Sequence, residues 1–241
     1  MLPANRNQAL HKTIMVRLLL KILDDTFLSQ NMFFKGGTCA SMLGYLDRFS
    51  VYLDFDIKNK EVSAKIGKHL EGIFTTLDLE IKDYSKNVLQ YYLKYDAPTG
   101  SRNTLKIDAA GVPYKNNKYE NILLPEINRY ATCQTKETLF TNKLVALLDR
   151  HDQHNAIAGR DLYDIHYFLK NGFGLNEELV VERRGVDIKT YLKQLIEFIN
   201  EHITQTVINQ DLNFLLDYKK FNSIRQTLKE ETIVLLRDRL G

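Results

Sequence analysis

The chain has 241 residues, 44% hydrophobic and 26% charged, with 12 glycines and 4 prolines, the balance of a soluble globular protein with material for one or two domains; wholesale disorder and collagen-like repetition are excluded. The formal charge is +3, made of +4 over residues 1–133 (18 basic, 14 acidic) and −1 over 134–241 (15 basic, 16 acidic), so neither half carries the basic excess that announces nucleic acid. No apolar run approaches the roughly 18 residues a membrane span needs, no signal peptide is read, and the two cysteines, Cys39 and Cys133, are too few for a disulfide framework or a zinc site, so a reducing cytoplasm is expected.

Leu10, Ile14, Leu18 and Ile22 recur every four residues, with Leu19 and Leu23 beside them, which predicts an amphipathic helix to about residue 28. Met32-Phe33-Phe34 reads as a short strand and Lys35-Gly36-Gly37 as a turn. Thr38 then suits the N-cap of a helix through Leu46. Residues 50–57 alternate apolar Val51, Leu53, Phe55 and Ile57 with Ser50, Tyr52, Asp54 and Asp56, a strand with one apolar and one acidic face. A helix over 61–77 and short strands at 79–81, 88–95, 104–108 and 122–127 follow. Beyond Thr135 the apolar spacing is helical: Leu139, Phe140, Leu144 and Leu147; Leu162, Ile165 and Leu169; Leu192, Leu195, Ile196 and Ile199; Ile224, Leu228 and Leu235. The expected organisation is an α+β domain over 1–133 and a helical bundle over 134–241.

Asp54 and Asp56 leave one strand face about 7 Å apart, within reach of a shared Mg²⁺, and Asp108 ends another predicted strand, where it would supply a third carboxylate. A solvated acidic face is the alternative. Lys35, Gly36, Gly37 and Thr38 precede a helix, so their N–H groups and hydroxyl are placed either to hold phosphate oxygens or simply to make a tight turn. Lys143 sits at the edge of an apolar helical stripe, where its ammonium must snorkel to solvent or point into a cleft that holds phosphates. Asp161 opens the next predicted helix as a cap or dipole partner, and Asp164 follows one turn later. His151 and His154 fall at a ragged helix end, read as a hydrated loop, and Cys39 has no local base, so it reads as a buried small residue.

In combination these segments resemble the AbiEii/AbiGii-type toxin family of the nucleotidyltransferase superfamily. The residues that carry the likeness are Phe34-Lys35-Gly36-Gly37-Thr38, Arg48-Phe49-Ser50 leading into Leu53-Asp54-Phe55, Leu105-Lys106-Ile107-Asp108, Asn142-Lys143-Leu144-Val145-Ala146-Leu147 and Arg160-Asp161-Leu162-Tyr163-Asp164. The resemblance implies a polymerase-β-like nucleotidyltransferase core with a C-terminal helical bundle, Mg²⁺ and a nucleoside triphosphate donor. The acceptor is open among RNA, protein and a small molecule, and the role implied is that of the toxin in a toxin–antitoxin pair, with a cognate antitoxin as partner. It casts Asp54 and Asp108, with Asp56 assisting, as metal ligands and catalytic carboxylates. Lys35, Gly36, Gly37, Thr38, Ser50, Lys143 and Asp161 fall to nucleotide binding.

One position departs from the family, whose strand usually reads Asp-Leu-Asp where this chain has Tyr52-Leu53-Asp54. A tyrosine hydroxyl ordinarily stays protonated at neutral pH and is a poor Mg²⁺ ligand. Either Asp56 replaces the missing carboxylate from the other side of Asp54, or the site is impaired and the chain is a non-catalytic nucleotide- or partner-binding member of the fold, or Tyr52 is a single-base variant of an active parent.

Overall fold

The opening apolar repeat folds as helix α1 (Arg6–Asp24), which buries Met15, Leu18, Leu19 and Ile22, in a computed structural model that describes residues 6–85 and 87–241. The single helix expected to residue 28 is broken at Asp25, whose carboxylate accepts the Leu28 N–H at 2.9 Å and caps a second helix, α2 (Thr26–Asn31). Strand β1 (Met32–Lys35) leads directly into helix α3 (Gly36–Met42). Thr38 lies inside α3 instead of capping it, and α3 ends four residues before Leu46. Strand β2 (Tyr52–Ile57), helix α4 (Ser63–Thr76) and strands β3 (Glu80–Tyr84), β4 (Gln90–Lys94), β5 (Thr104–Gly111), β6 (Tyr119–Leu124) and β7 (Arg129–Gln134) follow.

The seven strands form one sheet in the order β3-β4-β5-β2-β1-β7-β6. The pairs β2–β5 and β1–β7 are parallel and the others antiparallel. The run expected as one strand at 122–127 is instead a hairpin: β6 stops before Pro125, which has no N–H to give a ladder, and Asn128 at φ +50° reverses the chain into β7. Phe34, Leu53, Phe55, Ile57, Leu93, Leu105, Ile107 and Cys133 are buried on the apolar side of the sheet.

The chain divides into two units, one running to Pro113 and taking in Tyr119–Gln134, the other comprising Tyr114–Lys118 and Thr135–Gly241. The second contains α5 (Lys136–His154), α6 (Gly159–Lys170), α7 (Glu177–Arg184), α8 (Ile188–His202), α9 (Gln205–Leu212), α10 (Tyr218–Ile224) and α11 (Leu228–Asp238). Thr135, Asn176, Asp187, Thr204 and Asp217 cap five of these with side-chain oxygens. Helix α6 packs against α5, α9 and α11, and Tyr191, fully buried, donates to the Leu144 carbonyl at 2.8 Å. The segment Tyr114–Lys118 is tied here: Glu182 accepts the Lys115 and Asn116 amides at 2.7 and 2.8 Å, and the Asn176 side chain donates to the Asn116 carbonyl at 2.7 Å. Among the described residues no helix is long and apolar enough to cross a membrane.

Candidate functional site

Residues opposite one another on paired strands project from the same face of a sheet. The register therefore writes the polar face of the first unit in rows. One row runs Lys35 (β1), Asp54 (β2), Asp108 (β5), Gln90 (β4), because Lys35 partners Asp54, Asp54 partners Asp108, and Asp108 partners Gln90. The next row is Tyr52 (β2), Lys106 (β5), Tyr92 (β4). With neighbouring strands about 4.8 Å apart, Asp54 and Asp108 are adjacent carboxylates at the centre of the sheet.

The glycine turn closes on this row. Gly36 sits at φ +77°, and a Cβ added to it would lie 2.4 Å from Oδ2 of Asp54. Only glycine takes that backbone conformation at no cost and lets the chain pass that near a carboxylate. A Cβ on Gly37 would stand 3.0 Å from Nη2 of Arg48 and 3.1 Å from Oγ of Ser50. The turn thus has Asp54 on one side and a buried guanidinium, that of Arg48, on the other. Helix α3 is two turns long, so the turn owes more to these neighbours than to a macrodipole.

Several residues expected in the site are engaged elsewhere. Thr38 is fully buried; its hydroxyl donates to the Tyr52 carbonyl and lies 2.9 Å from that of Ser50. The two side chains tie α3 to the start of β2. Asp56 does not join Asp54: between them the pairing with β5 slips, so that Asp54 partners Asp108 but Asp56 partners Gly111. The Asp56 carboxylate, 2% exposed, accepts from Lys35 Nζ at 2.6 Å, the Tyr119 hydroxyl at 2.5 Å and Gln134 Nε2 at 2.9 Å. Three donors and near-complete burial remove it as a metal ligand and as the substitute for the carboxylate missing at Tyr52. They also commit the Lys35 ammonium to a partner inside the sheet.

In the second unit Lys143 neither snorkels nor stands alone. Its Nζ is 3.1 Å from Asp164 and 3.4 Å from Asp161, and Arg150 donates to Asp161 from Nε at 3.2 Å and Nη2 at 3.1 Å. Both carboxylates are buried. Asp161 thus serves as a counter-ion for two cations instead of capping α6, whose N-cap, Ala158, makes no side-chain bond. His151 and His154 belong to α5 and not to a loop, and the His151 ring packs 5.0 Å from Phe198 and 4.7 Å from His202. Cys39 and Cys133 are both buried; burial first, then the hydrogen bond between them, pushes the Cys39 thiol up, the opposite of an activated nucleophile.

Two residues next to Asp108 were not anticipated. Gln90 Nε2 donates to Oδ2 of Asp108 at 2.7 Å and Lys106 Nζ donates to the same oxygen at 2.9 Å. The signal for Lys106 was present: it stands two before Asp108 on one strand, the spacing that pairs Tyr52 with Asp54. No group of three or more His, Cys, Asp or Glu side chains suited to a metal occurs among the described residues. The donor set that does occur, two adjacent hard carboxylates beside a glycine turn, fits one divalent cation. It does not fit two, because Tyr52 stands where a further anionic ligand would be needed.

The sequence profile of a family described as nucleotidyl transferase AbiEii toxin of a type IV toxin–antitoxin system matches residues 17–230. No curated protein sequence matches the chain. Among solved structures, a Helicobacter pylori protein described as a nucleotidyltransferase superposes with a TM-score of 0.61 at 24% identity, covering 98% of this chain and 97% of its own. JHP933, also from Helicobacter pylori, gives 0.59 at 23% over 98% and 94%. MenT4, a nucleotidyltransferase toxin from Mycobacterium tuberculosis, gives 0.53 at 16% over 96% and 84%. At these identities the likeness is one of fold.

Proposed function

The chain belongs to the AbiEii nucleotidyltransferase toxin family, and from that premise we propose that it moves a nucleotidyl group from a nucleoside triphosphate to an acceptor, with its site on the polar face of the sheet. The observation that carries this reading is the contact of the Gly36 backbone with Asp54, itself paired in register with Asp108. A turn without side chains lets a polyphosphate approach a carboxylate pair closely, and Arg48 beneath Gly37 offsets phosphate charge. Asp54 and Asp108 would hold a single Mg²⁺, which would supply neutralisation of triphosphate charge. Asp54, adjacent to the Gly36 turn, is the carboxylate proposed to accept the acceptor hydroxyl's proton.

The family's lysine-helix role in nucleotide binding would fall to Lys143 and Asp161 of the second unit, where Lys143 pairs with Asp161 and Asp164, and the setting proposed is the cytoplasm with a cognate antitoxin as partner. RNA, protein and small-molecule acceptors all remain within the reading. Incubation with each labelled nucleoside triphosphate, Mg²⁺ and either total RNA or lysate protein tests it. Transfer of label that falls roughly 100-fold or more in Asp54→Asn is expected. A second reading, nucleotide or partner binding without transfer, is favoured by Tyr52 at a ligand position; nucleotide binding with no transferred label for any acceptor fraction would select it.

A further inference from the structure

On the sheet face, Lys106 occupies the place opposite Tyr52, between that phenol and the ring of Tyr92, and reaches along its own strand to Asp108. Its Nζ is 2.9 Å from Oδ2 of Asp108 and 5.8 Å from the Tyr92 ring centroid, with about a fifth of the side chain exposed. An ammonium carries three donors and no acceptor, so it cannot coordinate a metal ion; it neutralises a carboxylate and keeps a cation from the oxygen it holds. Two donors, Lys106 and Gln90, already bond that one oxygen.

The substitution and this lysine meet in register. A phenol stands where the family has a carboxylate, and the Lys106 ammonium stands at the register position directly beside it. The row therefore lacks one anionic ligand and carries a fixed positive charge next to the gap.

We propose that Lys106 is a tethered cation which takes the place of the second metal ion in this chain, leaving Asp54 and Asp108 a single divalent site. The proposal rests on the nucleotidyl-transfer reading of the same face and deepens it. Tyr52→Asp alone then does not create a second site, because the new carboxylate partners Lys106 in register and pairs with it instead of with a metal.

Binding of Mn²⁺ to the full chain, followed by paramagnetic resonance without nucleotide, tests this independently of transfer. The unaltered chain is expected to bind one ion. Lys106→Met should tighten that ion roughly tenfold by removing a neighbouring positive charge, while Lys106→Arg, which keeps the charge, leaves it within about threefold. Tyr52→Asp should stay at one ion and Tyr52→Asp with Lys106→Met should rise to two. Retained far-ultraviolet dichroism and melting of Lys106→Gln, with the same tightening as Lys106→Met, separate the effect from a folding defect. Unchanged Mn²⁺ affinity in both Lys106→Met and Lys106→Gln, or two ions on the unaltered chain, overturns the proposal. If Mn²⁺ behaves as expected but no variant transfers label, the tethered cation stands and the transfer reading falls.

Discussion

Gly36 is the residue on which the turn and the carboxylate row most directly depend. In Gly36→Ala the methyl meets Asp54 at 2.4 Å on a backbone at φ +77°, so a loss of about 2 kcal/mol or more is expected in urea unfolding. Asp54→Ala should recover part of it in the double variant, and strict additivity would show that the two do not touch. His11 makes a separate prediction. It is buried with Nε2–H donating to the Val51 carbonyl at 3.0 Å and Nδ1 2.6 Å from the Tyr95 hydroxyl. Burial, with the Val51 carbonyl opposing and the Arg102 charge assisting, lowers its pKa from 6.5 to about 4.

The unfolded chain therefore takes up a proton that the folded chain refuses. Stability from this group is complete above about pH 6.5 and is lost as the pH falls toward and through about 4, by on the order of 3 kcal/mol in all. Unfolding midpoints at pH 7.5 and 5 should converge in His11→Gln relative to the unaltered chain.

At the scale of elements, the α5–α6 pair holds two carboxylates and two cations in one buried network. Lys143→Met takes the cation from beside Asp164, and breaking such a pair costs about 3 kcal/mol. Combining it with Asp164→Leu should restore most of the melting temperature. The elements themselves were unevenly legible. Strong periodicity made α1, β2, α5, α6 and α8 readable from apolar spacing alone, and the alternation at 50–57 placed Asp54 on the polar face. Hidden were the break at Asp25, the hairpin at Pro125–Asn128 and the helices α7, α9 and α10, each at most eight residues long and too short to show a period.

In the site, the adjacency of Asp54 and Asp108 followed from a family resemblance, but the fate of Asp56 could not. It turns on a one-residue slip between β2 and β5 and on donors from Tyr119 and Gln134, far along the chain. Side-chain alternation fixes a face; it does not say which neighbours meet it.

For the whole molecule, Tyr114–Lys118 is the point where sequence order and spatial grouping part company, since it lies between strands of the first unit yet belongs to the second. Glu182→Ala removes the acceptor of two amides in that segment. Hydrogen exchange at Lys115 and Asn116 should quicken by roughly tenfold or more in this variant, with β5 and β7 unaffected.

The same segment bears on how the protein is made. By the time Gln134 has left the ribosome every strand of the sheet exists, β6 and β7 included. The Lys115 and Asn116 backbone groups, however, must wait for Asn176 and Glu182, roughly 40 to 50 residues later, before they find their partners. At about 5–20 residues per second that is an interval of several seconds. During it the loop between β5 and β6 carries the Lys115 and Asn116 amides without their acceptor, so the carboxylate face can assemble before Glu182 has been translated.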